Sequence, residues 1–139
     1  MSIMLAECNN TEIKVLERVY LPKSLGHFYS AVCNYIGFEK FGEEYKVMGL
    51  SAYGEDKYSD YFNDLIGYDE KYCLRQKNIF NYNSIDYKKN QIIKFNKNIF
   101  LNKKVEKFSQ ESKDIAKSLQ VTFEKIVMQI IDRLQKKVP

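Results

Sequence analysis

The sequence predicts a mixed α/β (α+β) domain with an N-terminal β-hairpin, several short helices and one long C-terminal helix. Three observations carry this prediction: alternating apolar residues on both sides of a short polar segment near the N-terminus, apolar residues every three or four positions from Leu25 onward, and a broad apolar stripe beyond Ser112. The chain has 139 residues, of which 45% are hydrophobic and 14% aromatic. That is enough for one domain with a core.

The N-terminal hairpin is predicted by two runs, Ile3 to Cys8 and Ile13 to Tyr20, which flank Asn9-Asn10-Thr11. In the second run one face is clearly more apolar than the other, which is typical of a half-buried strand. The apolar residues of that face are Ile13, Val15 and Val19.

The next stretch, from Pro22 to Gly54, is rich in glycine and begins with a helix pattern. Ser24 is the predicted N-cap and Gly37 the predicted stop. Between them, apolar residues share one face of the predicted helix: Leu25, Phe28, Tyr29, Val32, Cys33 and Ile36.

Two further short helices are predicted from glycine boundaries. The first runs from Glu43 to Met48 and is expected to end at Gly49, before a turn at residues 51–54. The other is expected from Lys57, with Gly67 as its terminator.

The segment from Tyr68 to Lys107 is rich in Asn, Lys and aromatic residues, and we assign no chemistry to it. We expect one or two minor strands and loops there. The short apolar runs lie at residues 72–74, 79–82, 91–95 and 99–101.

The C-terminal helix is predicted to begin at Ser112 as N-cap and to end at Lys136 and Lys137, whose charges suit the negative end of a helix. Its apolar stripe is typical of a core helix. The stripe comprises Ile115, Ala116, Leu119, Phe123, Ile126, Val127, Ile130, Ile131 and Leu134.

Composition argues against two classes of partner. The 22 Lys and Arg residues are interspersed with 18 Asp and Glu residues, and the net charge is only +4, so nothing predicts nucleic-acid binding. No apolar stretch approaches the roughly 20 residues that span a bilayer, and Glu7 interrupts the first apolar run, so no signal peptide is visible. We therefore expect a cytoplasmic protein with no nucleic-acid or membrane partner.

Cysteine and histidine usage predicts no metal site. Cys8, Cys33 and Cys73 are far apart and have no CxxC spacing, and His27 is the only histidine. We expect three reduced thiols that serve in packing, and we expect His27 on a helix surface.

Several residues of the glycine-rich stretch are candidates for nucleotide contacts. The helix opened by Ser24 and Gly26 could hold a phosphate or a ribose hydroxyl at its free N–H groups. Glu44 and Lys46 could order each other or a ribose, although such a pair is more often a solvated helix face. A second group, Gly49, Tyr53 and Gly54, could approach or wall a nucleotide, although such residues usually form an ordinary turn.

Two parts of the sequence also resemble a known family. SLGHFYSAVCNYIGF followed by GEEYKVMGLSAYG resembles the central signature of the O-carbamoyltransferases of antibiotic and nodulation-factor biosynthesis. SKDIAKSLQVTFEKI resembles the later helix of that family, with its D-I-A-x-S-x-Q pattern. The likeness covers roughly Pro22 to Leu134.

The resemblance implies an actin-like ATPase (ribonuclease-H-like) fold. It also implies an enzyme that uses carbamoyl phosphate and ATP to make a carbamoyl-adenylate and then carbamoylates a hydroxyl of a small-molecule acceptor, with a divalent metal held by histidines and aspartates. The family's metal-binding HxxxH stretch lies upstream of the region present here, and its GGVALN-type nucleotide loop lies downstream. We therefore expect residues 1–139 to be a single partial domain that is inactive alone, holds no catalytic or metal residues, and binds neither ATP nor metal without the rest of the enzyme.

A non-catalytic interaction module is the alternative. The long apolar helix and the N-terminal strand would then bind the remainder of a carbamoyltransferase chain or a second copy of this chain, because large exposed apolar surfaces mark interfaces. On this expectation the chain forms a homodimer or a higher oligomer.

Overall fold

The computed structural model describes residues 1–81, 94–95 and 105–138, and it confirms the mixed α/β class. The described strands form three separate two-stranded antiparallel sheets, β1–β2, β3–β4 and β5–β6. In chain order the elements are β1 (Ile3–Asn9), β2 (Glu12–Val19), α1 (Leu25–Tyr35), α2 (Glu44–Leu50), α3 (Ser59–Leu65), β3 (Ile66–Asp69), β4 (Cys73–Gln76), β5 (Phe80–Asn81), β6 (Lys94–Phe95) and α4 (Gln110–Gln135).

The N-terminal hairpin forms as predicted, but its apolar face is buried at one end only. Leu5 and Val19 are buried, whereas Ile13 is 66% exposed. Ile13 pairs with Cys8 close to the turn, beyond a shift of register between Leu5 and Ala6. The face predicted from alternation therefore packs on the core only where the hairpin joins the rest of the chain.

An ion pair ties this hairpin to the end of α4. Arg133 donates from Nε and Nη2 to the two carboxylate oxygens of Glu17, at 2.8 and 3.1 Å, and Lys137 Nζ lies 3.1 Å from the same carboxylate. The hydrogen bond from Arg133 outweighs the effect of burial and holds the pKa of Glu17 below its usual range.

Helix α1 has the predicted boundaries. The Ser24 hydroxyl oxygen accepts a hydrogen bond from the His27 amide at 3.1 Å, which satisfies one of the free N–H groups of the first turn. At the other end Gly37 has a φ of 92°, a conformation that favours glycine and that stops the helix.

Two glycines do not end helices where the sequence predicted. Helix α2 continues through Gly49 because the next residue, Leu50, is buried and holds the last turn on the core; a 3-10 turn at Ser51–Tyr53 follows. Helix α3 ends at Leu65, because Ile66 already has extended backbone, and Gly67 lies inside strand β3.

Helix α4 starts earlier than predicted, with Ser109 rather than Ser112 as its N-cap. Ser109 Oγ accepts a hydrogen bond from the Ser112 amide at 3.1 Å, and the buried Ser112 hydroxyl donates to the Ser109 carbonyl at 2.8 Å. The two serines are one helical turn apart, so both fit the local cap signal. The helix ends at Gln135, next to the predicted lysines.

Helix α4 packs on α1, α2, α3, β3 and the 3-10 turn, and this contact forms the core. Ile126 and Ile130 are buried, Phe123 and Val127 are half-buried, and Ile131 is 40% exposed. The chain therefore covers most of the stripe with its own elements, whereas the interaction-module alternative takes the long helix as an exposed apolar surface.

Between Tyr68 and Lys107 one or two minor strands were expected; the described residues there contain β4, β5, β6 and the end of β3, which begins before this segment. Parts of the runs at 79–82 and 91–95, and the whole run at 99–101, lie outside the described residues.

Candidate functional site

The turn after α2 lies against the backbone of α4. A Cβ atom added at Gly54 would be 2.8 Å from the Asp114 amide nitrogen and would overlap the Lys113 carbonyl group. The φ of Gly54 is −111°, so the backbone conformation itself suits any residue. Glycine is required here by the close approach of two backbones.

Asp114 fixes the segment that follows this turn. The residue is 3% exposed, and its Oδ1 accepts hydrogen bonds from the Glu55 amide at 3.0 Å and from Gln110 Nε2 at 2.8 Å. Lys57 Nζ lies 2.7 Å from Oδ2. Burial would raise the pKa of Asp114, but these hydrogen bonds, chiefly the one from Lys57, outweigh it and hold the pKa below its usual range.

Ser118 extends this network by one helical turn. Its hydroxyl oxygen accepts from the Lys57 and Tyr58 amides at 3.0 and 2.9 Å, and the hydroxyl donates to the Asp114 carbonyl at 2.9 Å. One donor and two acceptor positions are the full capacity of a serine hydroxyl. Ser118 thereby holds the backbone at the start of α3.

Gln120 connects the same helix to α1. Its Oε1 accepts a hydrogen bond from the Tyr29 hydroxyl at 3.0 Å, and its Nε2 donates to Glu124 at 2.8 Å. Burial raises the pKa of the Tyr29 hydroxyl far above its usual range, so it stays a hydrogen-bond donor. The ring of Tyr29 also meets that of Phe123 edge to face, with centroids 5.4 Å apart.

Sequence reasoning quoted Asp114, Ser118 and Gln120 as marks of a resemblance and gave them no role. A signal was present, because Asp114 and Ser118 are polar residues four positions apart on the side of the helix that carries the apolar stripe. Polar residues on a buried helix face need partners. Here the partner of Gln120, Tyr29, belongs to the first resembling segment, and the partners Glu55, Lys57 and Tyr58 directly follow the second, which ends at Gly54.

We call the contact of Gly54, Glu55, Lys57 and Tyr58 with Asp114 and Ser118 of α4 the junction. Next to it, an open cleft of about 480 Å³ lies between α1, α2 and α4. Of the described residues, Glu44 is the only charged one that lines it, and Glu44 Oε1 accepts a hydrogen bond from Ser30 Oγ at 2.7 Å. Besides these two residues the lining is Gly26, Tyr29, Tyr45, Met48 and Phe123.

Two of the predicted nucleotide-contact residues, Gly26 and Glu44, share this cleft. Ser24 is buried and caps α1, and its own amide donates to Gln76 Oε1 at 2.8 Å. The N-terminus of α1 is therefore a capped helix end packed against strand β4.

The remaining predicted residues lie apart from the cleft. Lys46 is exposed and pairs with Glu43 at 2.8 Å rather than with Glu44, because positions two apart lie on different sides of a helix. Gly49 has open space around its Cα, Tyr53 is exposed, and Gly54 faces α4. The structure thus brings together Gly26 and Glu44 out of seven predicted residues.

Cysteine placement differs in part from the prediction. Cys33 and Cys73 are buried, but Cys8 is exposed on the hairpin and packs against nothing in the core. Among residues 1–81, 94–95 and 105–138, no three His, Cys, Asp or Glu side chains lie together as metal ligands would. Within the same residues, no helix has the length and apolar character needed to cross a membrane.

Comparison with known proteins gives one family match and two relatives. A family model described as "Carbamoyltransferase N-terminus" matches residues 2–138. An uncharacterized protein of Synechocystis sp. is 50% identical over 46 residues, which are 33% of this chain and 8% of that protein. An uncharacterized protein of Methanocaldococcus jannaschii is 28% identical over 140 residues, which cover 96% of this chain and 25% of that protein. The chain thus spans a quarter or less of the length of these relatives.

Proposed function

Since the chain belongs to the carbamoyltransferase N-terminal family, we propose that it forms part of the nucleotide-binding domain of an ATP- and carbamoyl-phosphate-dependent O-carbamoyltransferase. In this proposal the domain has the actin-like ATPase fold. The acceptor is a hydroxyl of a small molecule, and the chain alone does not catalyse the reaction.

The contact between the turn at Gly54 and helix α4 is the observation that supports this proposal best. It joins two sequence segments that resemble the carbamoyltransferases through the close approach of Gly54 to Lys113, and the hydrogen bonds of Asp114 and Ser118 hold residues 55–58, which directly follow Gly54. A network in which every polar group is satisfied rigidifies the elements it joins. The role we assign to it is to fix the relative position of the turn, α3 and α4, so that neighbouring parts of the enzyme dock on a rigid unit.

The groups that handle phosphate and metal are assigned to other parts of the enzyme. Among the described residues, no cluster of side chains fits a divalent metal, and no basic residue lines the cleft of Glu44 to meet a phosphate. Nucleotide contacts from Ser24, Gly26, Glu44, Lys46, Gly49, Tyr53 and Gly54 stay a prediction. In this proposal, any contact from these residues to a nucleotide forms only in the assembled domain.

The test is a segment exchange in an active carbamoyltransferase of this family. Residues 2–138 replace the homologous segment, and pyrophosphate release from ATP is measured with and without carbamoyl phosphate. We expect carbamoyl-phosphate-dependent release from the chimera and none from the isolated chain, because positioned phosphate-binding groups supply most of the rate acceleration. A folded chimera that is inactive would contradict the proposal, and so would release by the isolated chain.

A non-catalytic interaction module is a second candidate, which exposed apolar side chains near α2 favour. Phe41, Tyr45, Met48 and Tyr53 are between 55% and 81% exposed, and contiguous apolar surface commonly marks an interface. The partner would be the remainder of a carbamoyltransferase chain or a second copy of this chain.

Sedimentation velocity at micromolar to high micromolar concentration tests self-association. A dimer that Met48→Lys converts to a monomer supports this candidate, and a monomer throughout removes the second copy as partner.

A further inference from the structure

Glu44 is a half-buried carboxylate without a cationic partner in the part of the chain that the structure describes. Its one hydrogen bond in that part comes from the neutral hydroxyl of Ser30, at 2.7 Å. Lys46, the lysine closest in sequence, pairs with Glu43 instead. A carboxylate withdrawn partly from water is costly to keep unless a cation joins it.

The charge of Glu44 affects the pKa values of two neighbouring side chains. Burial is the largest cause that raises the pKa of the Cys33 thiol and of the Tyr29 hydroxyl, and the negative charge of Glu44 raises both further. Both neighbours stay neutral, so neither compensates the negative charge. Glu44 therefore places a negative charge at the wall of the cleft.

The walls around Glu44 suit an apolar body that carries a positive charge. The rings of Tyr29, Tyr45 and Phe123 and the thioether of Met48 line the cleft. Aromatic faces attract cations through their quadrupoles and also bury apolar surface. Gly26, on the α1 side of the cleft, has no side chain to fill it.

The geometry points to a binding site for a small organic ammonium ion, whose charged nitrogen meets the Glu44 carboxylate and whose apolar part lies against Tyr29, Met48 and Phe123. The volume of about 480 Å³ is in the range of small-molecule sites. A phosphate group is disfavoured here, because it would meet the Glu44 carboxylate and none of the described residues that line the cleft is basic. This site does not depend on carbamoyl transfer, and it would exist in the isolated chain.

The test compares two probes of the same shape that differ in charge, 2-phenylethylammonium and 2-phenylethanol, with adenosine as a third probe. Each is titrated into the full 139-residue chain, and the amide chemical shifts are followed by NMR. We expect saturable shifts around Gly26, Ser30 and Met48 for the ammonium ion. The alcohol should bind at least about tenfold more weakly than the ammonium ion, because a charge-assisted contact is lost.

Variants then locate the charge that is recognised. Glu44→Gln keeps the size and the acceptor for Ser30, and should reduce ammonium binding to the level of the alcohol. Glu39→Gln removes an equal charge from an exposed position outside the cleft, and should leave binding unchanged. Equal binding of alcohol and ammonium by the unaltered chain would overturn the inference whatever the variants do. So would shifts confined to other regions, or binding of adenosine without binding of the ammonium ion.

Discussion

Gly54 approaches Asp114 so closely that a Cβ atom at Gly54 would lie 2.8 Å from the Asp114 amide nitrogen. The neighbouring Lys113 carbonyl is closer still. Since both obstacles are backbone atoms of a helix, they cannot move aside by changing a rotamer. The path of the chain after α2 therefore depends on the absence of a side chain at this one position.

The first prediction compares Gly54 with Gly49. Gly54→Ala should lower the free energy of unfolding by about 1–3 kcal/mol, because the turn must move away from α4. Gly49→Ala is the matched control: it lies in α2 with open space around it, and it should be neutral or up to about 1 kcal/mol stabilising, because alanine favours helix. Urea denaturation followed by circular dichroism measures both. Equal effects of the two substitutions would contradict this account.

The caps and glycines of this region show which features local sequence chemistry could predict. Ser24 and Gly37 were assigned correctly because a cap and a positive-φ stop depend on a few neighbouring residues. The close approach of Gly54 depends on α4, which is distant in sequence, so the glycine-rich stretch indicated a close approach at this position but not that the partner is α4. Gly49 and Gly67 were assigned wrongly because packing of Leu50 and pairing of β3 with β4 decided those boundaries.

The second prediction concerns the two buried hydroxyls in the middle of α4. Ser118→Ala should lower the free energy of unfolding by about 1–3 kcal/mol, since the Lys57 and Tyr58 amides lose their acceptor. Thr122→Val is the control one turn away. Thr122 is 1% exposed, and its hydroxyl has no hydrogen-bond partner in the described part of the chain.

Thr122→Val should be neutral or stabilising, because it replaces a buried unsatisfied hydroxyl by a methyl group of similar size. Thermal unfolding of both variants beside the unaltered chain is the measurement. A loss for Thr122→Val as large as that for Ser118→Ala would mean that hydrogen bonding at Ser118 is not what stabilises the junction.

Sequence periodicity could not predict the hydrogen bonds of the junction. The apolar stripe of α4 predicted the buried side of the helix, and Ile126 and Ile130 lie on it as expected. Periodicity also places Asp114 and Ser118 on that side, but it cannot say which backbone amides they meet. Those partners, Glu55, Lys57 and Tyr58, belong to an irregular segment whose path no local pattern fixes.

The third prediction is selective reaction of one thiol. Cys8 is exposed, whereas Cys33 and Cys73 are buried, and burial raises the pKa of both buried thiols. Since the thiolate is the reactive form, a disulfide reagent such as Ellman's reagent should modify one cysteine rapidly in the folded chain and all three after unfolding.

Cys8→Ser is the control for this experiment, and it should leave the folded chain almost unreactive. Mass spectrometry of the labelled peptides identifies the modified position. Rapid labelling of Cys33 or Cys73 in the folded chain would show that α1 or β4 opens to solvent.

The fourth prediction concerns acid stability through Asp114. The pKa of Asp114 is lower in the folded chain than its ordinary value, so the unfolded chain takes up a proton at higher pH than the folded chain. The stabilisation by Asp114 is therefore fully present above about pH 5, and it is lost as the pH falls below about 4 and through the folded pKa.

Asp114→Asn isolates this contribution from those of Glu17 and Asp69, whose pKa values are also lowered in the folded chain. Asparagine keeps one acceptor oxygen but no charge for Lys57, so the variant should be less stable at pH 7. The difference from the unaltered chain should shrink as the pH falls from about 6 to about 2, because protonated Asp114 has also lost its charge. Urea denaturation at several pH values measures the difference. A difference that stays constant over this range would mean that the ion pair with Lys57 adds nothing, and that the neutral hydrogen bonds to Glu55 and Gln110 hold the turn on α4.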